Sequence, residues 1–222
     1  MAGMNLQKCS LVLASLLGMG VALAQGSTEA DLLRSARMWT AKNRPDLARE
    51  QLAKLLASNP DSPDAQVLLA DMALRENKLA EAQKILQTLR LRHFQHPATR
   101  DLEQLVRIYG PEREKLARMR LLARGGNKIE AQALARELFP QGPPTVGGLD
   151  IEYYQLMAAT AGGGVQAQKE LQRLYRETGD ARYRLAQLES QVQAGNLSSA
   201  VLSEFESLAQ RADVNQPALQ DL

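Results

Sequence analysis

His93 and His96 are the only imidazole groups in the chain, and they lie three residues apart. On a helix this spacing puts both rings on one face, so the pair could share a metal ion. A protein metal site needs at least one more ligand, and none is near in the sequence. The pattern therefore favours a polar helix end, and we predict no metal site and no cofactor.

No other set of residues has the spacing of a catalytic site. Cys9 is the only cysteine. Gly162-Gly163-Gly164 lacks the Lys-Ser/Thr that follows the glycines of a phosphate loop, so it is predicted to be a turn. The carboxylates are spread over helix surfaces rich in Lys and Arg, where ion pairs are usually weak and solvated. We therefore expect a protein without enzymatic activity.

Three aromatic residues could stack on a sugar ring. Trp39 faces inward in the predicted helix register, which favours core packing over sugar stacking. Tyr153 and Tyr154 are adjacent and cannot both face inward, so we expect one of them to be exposed or to pack against the Pro143-Pro144 loop.

The elements that carry these residues repeat at a fixed interval of 34 positions. The identical pairs are Ala36 and Ala70, Met38 and Met72, Asn43 and Asn77, Ala48 and Ala82, Leu52 and Leu86, and Leu55 and Leu89. This period is the signature of the tetratricopeptide repeat, a helical hairpin that buries its faces only by stacking on neighbours. We predict an all-α, right-handed superhelix of four to five hairpins plus one extra helix.

The repeats are predicted near 29–62, 63–97, 112–145, 149–180 and 181–214, with the extra helix at 98–110. Asn-Pro and Gly-Pro pairs separate several of them, because proline ends helices. The chain stops at Leu222, where a further repeat would begin at Pro217. A solenoid needs a polar closing helix, so we expect the natural protein to continue.

The first 24 residues are predicted to be a secretory signal peptide. Lys8 gives a positive end, Leu11 to Leu23 form a short apolar run, and Ala22 and Ala24 suit cleavage after residue 24. A buried N-terminal helix is the disfavoured alternative. Removal of the signal leaves 26 Lys and Arg against 25 Asp and Glu in the array at 25–222. This balance gives no reason to expect nucleic-acid binding, and no membrane span is expected in the mature chain.

Four ordered stretches are more specific than the repeat pattern. They are RPDLAREQLAKLL at 44–56, IYGPEREKLARMRLLARGG at 108–126, ELFPQGPP at 137–144 and IEYYQLMA at 151–158. In these stretches the chain resembles the N-terminal periplasmic repeat region of bacterial cellulose synthase operon protein C, the outer-membrane cellulose export subunit. That family carries an outer-membrane β-barrel after its repeats, and this sequence has none of the alternating pattern of barrel strands.

The resemblance implies a periplasmic scaffold that links inner-membrane glucan synthesis to an outer-membrane channel. Its implied partners are other cellulose synthase subunits, with peptidoglycan and glucan as further candidates. The alternative is a general periplasmic adaptor for a protein or peptidoglycan with no role in cellulose. A cell-wall enzyme with a helical domain is disfavoured, since no catalytic residue set is found.

The inner wall of the superhelix is the candidate partner-binding surface, because the first helix of each repeat lines it. Its exposed positions are predicted to be Arg37, Thr40, Asp71, Arg75, Arg120, Arg124 and Glu189. For any one of these residues, an ordinary solvated surface position is the simpler interpretation.

Overall fold

The computed structural model describes residues 28–159, 164–193, 195 and 198–210. The predicted signal peptide, Gly162-Gly163 and the residues after 210 lie outside this part of the chain. Within it are eleven α-helices and no β-strand. The helices are α1 (28–41), α2 (Pro45–Ser58), α3 (Pro63–Arg75), α4 (Leu79–Arg92), α5 (Pro97–Tyr109), α6 (Arg113–Arg124), α7 (Lys128–Leu138), α8 (Leu149–Ala158), α9 (Gly164–Thr178), α10 (Ala181–Gln193) and α11 (Ser199–Ala209).

Proline and short polar residues set the helix starts. Proline occupies the first turn of α2, α3 and α5, where its missing amide donor costs little. The Ser62 hydroxyl caps α3 by accepting a hydrogen bond from the Ala65 amide at 3.4 Å. His96 caps α5 in the same way, since its Nδ1 accepts from the Ala98 amide at 3.2 Å. The predicted polar helix end at His96 is thus a capping site.

Two asparagines turn the first two hairpins. Asn43 and Asn77 occupy the same repeat position and both have positive φ, at 53° and 59°. Asparagine tolerates this left-handed conformation better than other non-glycine residues do. The residues that recur at the 34-residue interval are therefore set by the backbone conformation of the turn as well as by packing.

From α2 to α11, each helix packs against its successor, and α3 and α8 also pack against the helix after next. α3 contacts both α4 and α5, and α8 contacts both α9 and α10. The extra helix α5 therefore takes the place that the first helix of a following repeat would have. The hairpin of α6 and α7 comes next, and α7 contacts α8. This arrangement confirms the predicted all-α tetratricopeptide-repeat fold with an additional helix.

Small and large apolar side chains alternate through the core. Ala48 and Ala82 are fully buried at equivalent positions, and so allow close approach of the helix backbones. Leu52 and Leu55 fill the space beside them. Met38 and Met72 differ in spite of their shared repeat position, because Met38 is 38% exposed and Met72 only 3%.

The two neighbouring tyrosines of α8 are both half-buried and pack against the core, so neither is the exposed residue that was one of the two expected outcomes. The Tyr153 ring makes edge contacts with Phe139 and Tyr154, at centroid distances of 5.5 and 5.3 Å. Tyr154 touches both the main core and a smaller core that α8, α9 and α10 share. In the same region the Tyr183 hydroxyl donates to buried Asp150 at 2.5 Å, which fixes α10 on α8. Trp39 is half-buried against the main core.

Two leucines on α4 provide a test of this packing. Leu89 is completely buried, whereas Leu91 is 87% exposed on the same helix. Leu89→Ala should lower the free energy of unfolding by about 2–5 kcal/mol, because it removes buried methyl groups and leaves a cavity. Leu91→Ala is the matched control and should change it by less than about 0.5 kcal/mol. Urea unfolding followed by circular dichroism measures both, and equal losses would contradict the packing.

Candidate functional site

Asp71 is the centre of a buried contact and not an exposed wall residue. Only 1% of its surface is exposed, so the sequence-based expectation of exposure is wrong. The loop at 139–148, between α7 and α8, covers it by folding back onto α3. Arg75, one turn along α3, donates from Nε to Asp71 Oδ2 at 3.0 Å and from Nη2 to the Gly147 carbonyl at 2.9 Å. The two residues therefore attach the loop to a helix that precedes it by about 70 positions.

Gly147 makes this close approach feasible. Its φ is +87°, and a Cβ atom there would lie 3.0 Å from Asp71 Oδ1 and 3.4 Å from Leu105 Cδ2. A side chain would therefore be strained and crowded. The loop is also held on α5, since the Thr145 amide and hydroxyl both donate to Asp101 Oδ2, at 3.0 and 2.6 Å.

Burial dominates the electrostatics of Asp71. It raises the pKa of the Asp71 carboxyl above its usual range, and the attraction to Arg75 offsets only part of this effect. Asp71 Oδ1 has no hydrogen-bond partner among the described residues. A buried acceptor without a partner favours the protonated carboxyl.

A cleft of about 700 Å³ lies beside this contact. The start of α4 and parts of α3, α5 and α6 form its walls. Its lining residues are Leu74, Arg75, Asn77, Leu79, Tyr109, Gly110, Arg113, Leu116, Ala117 and Arg120. The structure thus brings together two of the predicted wall residues, Arg75 and Arg120, with Asp71 directly behind Arg75.

Arg120 is held in a fixed orientation at the cleft. Its Nε and Nη2 donate to the two carboxylate oxygens of Glu152 on α8, at 2.9 and 2.7 Å. This bidentate geometry is the strong form of an arginine–carboxylate pair. The pair raises the pKa of Arg120 against the opposing effect of burial, so the guanidinium stays charged. Burial raises the pKa of the adjacent Tyr109 hydroxyl, which stays neutral.

Two more of the predicted wall residues lie near this region but outside the cleft lining. Arg124 is one turn along α6 from Arg120, and its Nε lies 3.4 Å from the Arg120 carbonyl. Glu189 on α10 accepts a hydrogen bond from Gln155 Nε2 on α8 at 2.6 Å. Burial raises the pKa of the Glu189 carboxyl. Both of these hydrogen bonds lie within the array.

The two predicted residues of α1 are separate from this group. Arg37 is exposed. The Thr40 hydroxyl is half-buried and donates to the Ala36 carbonyl at 2.9 Å, one turn back on its own helix. Partner binding by any of the seven residues stays a prediction.

Three site residues were not found from the sequence: Tyr109, Arg113 and Gly147. The repeat register assigns wall positions only within regular hairpins, and these residues lie at the end of the extra helix, just after it and in a loop. The Gly110-Pro111 break was a usable signal, because an interruption between stacked helices tends to leave a surface irregularity. No short-range pattern pointed to Gly147.

A pH series tests the buried carboxyl. The folded protein holds the Asp71 proton more tightly than the unfolded chain, whose pKa is near 3.8. The stability from this group is therefore greatest below that pH and is lost as pH rises through the raised folded pKa. Urea unfolding of wild type and Asp71→Asn from acid to neutral pH should show wild type losing stability relative to the variant. Parallel plots of unfolding free energy against pH for the two proteins would contradict the buried, proton-binding state.

Comparison with known proteins identifies the repeat type. A tetratricopeptide-repeat family model matches residues 40–105. Among solved structures, the chain is similar to the flexible tandem repeat domain of a bacterial cellulose synthase subunit, with a TM-score of 0.60 and 27% identity. This match covers 81% of the present chain and 72% of that chain.

Several curated proteins that share one name match most of this sequence. Cellulose synthase operon protein C of Xanthomonas axonopodis pv. citri is 34% identical over 210 residues, which cover 91% of this chain. The protein of that name in Pseudomonas fluorescens is 32% identical over 168 residues, or 75% of this chain. The matches span only 14% and 13% of the two relatives. The chain belongs to the family of cellulose synthase operon protein C, within which it matches the tandem-repeat part.

Proposed function

We propose that the chain is a non-catalytic scaffold of a bacterial cellulose synthesis and export machinery. The observation that carries the proposal is the 34% identity with a cellulose synthase operon protein C over 91% of the chain. A repeat solenoid suits this role, because it presents a long surface on a rigid stack of helices. The tetratricopeptide-repeat fold alone would not favour a role in cellulose export over other roles.

The scaffold would lie in the periplasm and link the inner-membrane synthase to an outer-membrane channel. The predicted signal peptide and the family resemblance support this location. None of the described helices has the length and apolar character needed to cross a membrane. Other subunits of the cellulose synthase complex are the proposed partners, and peptidoglycan and glucan are the further candidates.

Deletion of the gene tests this function. In the source bacterium, loss of the chain should abolish extracellular cellulose, because synthesis and export would no longer be linked. Glucan synthesis by isolated inner membranes, measured with labelled glucose precursor, should be unchanged, because the scaffold does no chemistry. Re-expression of the wild-type gene is the control and should restore secretion.

Two results would contradict the proposal in different ways. Unchanged extracellular cellulose would favour a general periplasmic adaptor that binds a protein or peptidoglycan. Loss of glucan synthesis in isolated membranes, to the same extent as secretion, would indicate a role in polymerisation itself.

Export can be tested separately by mass spectrometry of the chain from a periplasmic extract. The mature N-terminus should be Gln25, because Ala22 and Ala24 are small residues at the positions that signal peptidase reads. Substituting Ala24→Lys should block processing and leave the longer form. An unprocessed wild-type chain in the cytoplasm would refute the periplasmic assignment.

A further inference from the structure

We propose that the cleft between α3, α4, α5 and α6 binds a partner peptide in which carboxylates alternate with apolar side chains. This proposal rests on the scaffold function and specifies the chemistry of its partner. Three of the ten lining residues are arginines, and none is acidic. A surface of this composition is complementary to a carboxylate-bearing ligand.

Arg113 supplies the uncompensated charge. It is exposed at the start of α6, and its guanidinium has no hydrogen bond or ion pair with the described residues. Arg75 uses Nε and Nη2 within the protein, which leaves Nη1 available. An acidic side chain between the two arginines could therefore bind without breaking an existing contact.

The nearby acidic residues do not neutralise the charge of Arg113. Asp71 lies behind Arg75, is buried, and among the described residues its carboxylate is hydrogen-bonded only to that guanidinium. Both oxygens of Glu152 are used by Arg120. None of the ten lining residues is acidic. Glu112 and Glu114 flank Arg113 in the sequence, but Glu112 pairs with Arg107, and neither carboxylate bonds to the Arg113 guanidinium.

The rest of the cleft is apolar and accepts uncharged side chains. Leu74, Leu79 and Leu116 line it, and Ala117 leaves space where a larger residue would fill it. Gly110 lets the end of α5 approach α4, because a Cβ there would lie 2.7 Å from the Val106 carbonyl oxygen and 3.3 Å from Leu79 Cδ2. An apolar side chain next to a carboxylate would bury its surface on this wall.

These features favour a peptide over a polysaccharide. A neutral glucan has hydroxyl groups but no charge, so covering Arg113 with it would desolvate a cation without a counter-charge. An anionic polysaccharide could pair with the arginines, but it has no aliphatic side chain and would bury less apolar surface on the leucine wall. A segment with alternating acidic and aliphatic side chains satisfies both parts of the cleft.

Fluorescence anisotropy and competition would test the proposal on the purified chain. The labelled probe is the peptide Glu-Leu-Asp-Leu-Glu, acetylated and amidated, and the competitors are its Gln-Leu-Asn-Leu-Gln counterpart, cellopentaose and an oligogalacturonate. We expect the acidic peptide to bind, the neutral peptide and both saccharides to compete poorly, and the affinity to fall with added salt.

Single substitutions locate the site. Arg113→Gln should weaken binding about tenfold, because it removes a charge-assisted hydrogen bond. Ala117→Glu should weaken it at least as much, because it puts a carboxylate into the cleft. Arg118→Gln is the matched control, since Arg118 is exposed on the same helix but does not line the cleft. All three positions are exposed. Thermal unfolding midpoints equal to that of wild type would show that the variants keep the fold.

Several outcomes would overturn the proposal. They are absence of peptide binding, equal competition by the neutral peptide or by either saccharide, and equal effects of Arg113→Gln and Arg118→Gln. Peptide binding by a chain whose deletion leaves cellulose secretion intact would refute the scaffold function alone. Loss of secretion without peptide binding would refute this inference alone.

Discussion

The structure depends on one constraint: no helical hairpin of this chain can bury its apolar faces alone. Each hairpin must stack on the next, and the contact needs small residues where backbones approach and leucines where space must be filled. Buried Ala48 and Ala82, with Leu55 and Leu89, meet this need at the same repeat positions. The same constraint explains α5, which packs on α3 and so covers a face that would otherwise be exposed to water.

The candidate site arises where the regular stack is interrupted. Helix α5 ends before Gly110, and α6 then begins a new hairpin with α7. The loop at 139–148 then folds back over α3, and the Asp71, Arg75 and Gly147 contact holds it there. The cleft and its arginines lie between these two irregular features. The regular repeats provide rigidity, and the departures from regularity provide the candidate binding surface.

The repeat pattern was enough to predict the all-α class, the repeat type and the extra helix, because all three follow from local periodicity. Long-range contacts were not predictable in this way. Asp71 was expected to be exposed because its register position faces the inner wall, yet a loop more than 70 residues later covers it. Met38 and Met72 share a register position but differ in burial, since their neighbours differ. Arg113 was missed because it follows an insertion, where the register gives no guidance.

The proposed scaffold acts through protein contacts at the cleft. Photo-crosslinking in the living source bacterium tests it most directly, with a photoreactive phenylalanine analogue at position 117 inside the cleft and, as the control, at position 118 outside it. We expect an adduct from position 117 only, joined to a segment with acidic and aliphatic residues in another protein of the cellulose synthase complex and identified by mass spectrometry. Equal adducts from both positions, or crosslinks from position 117 to glucan alone, would contradict it.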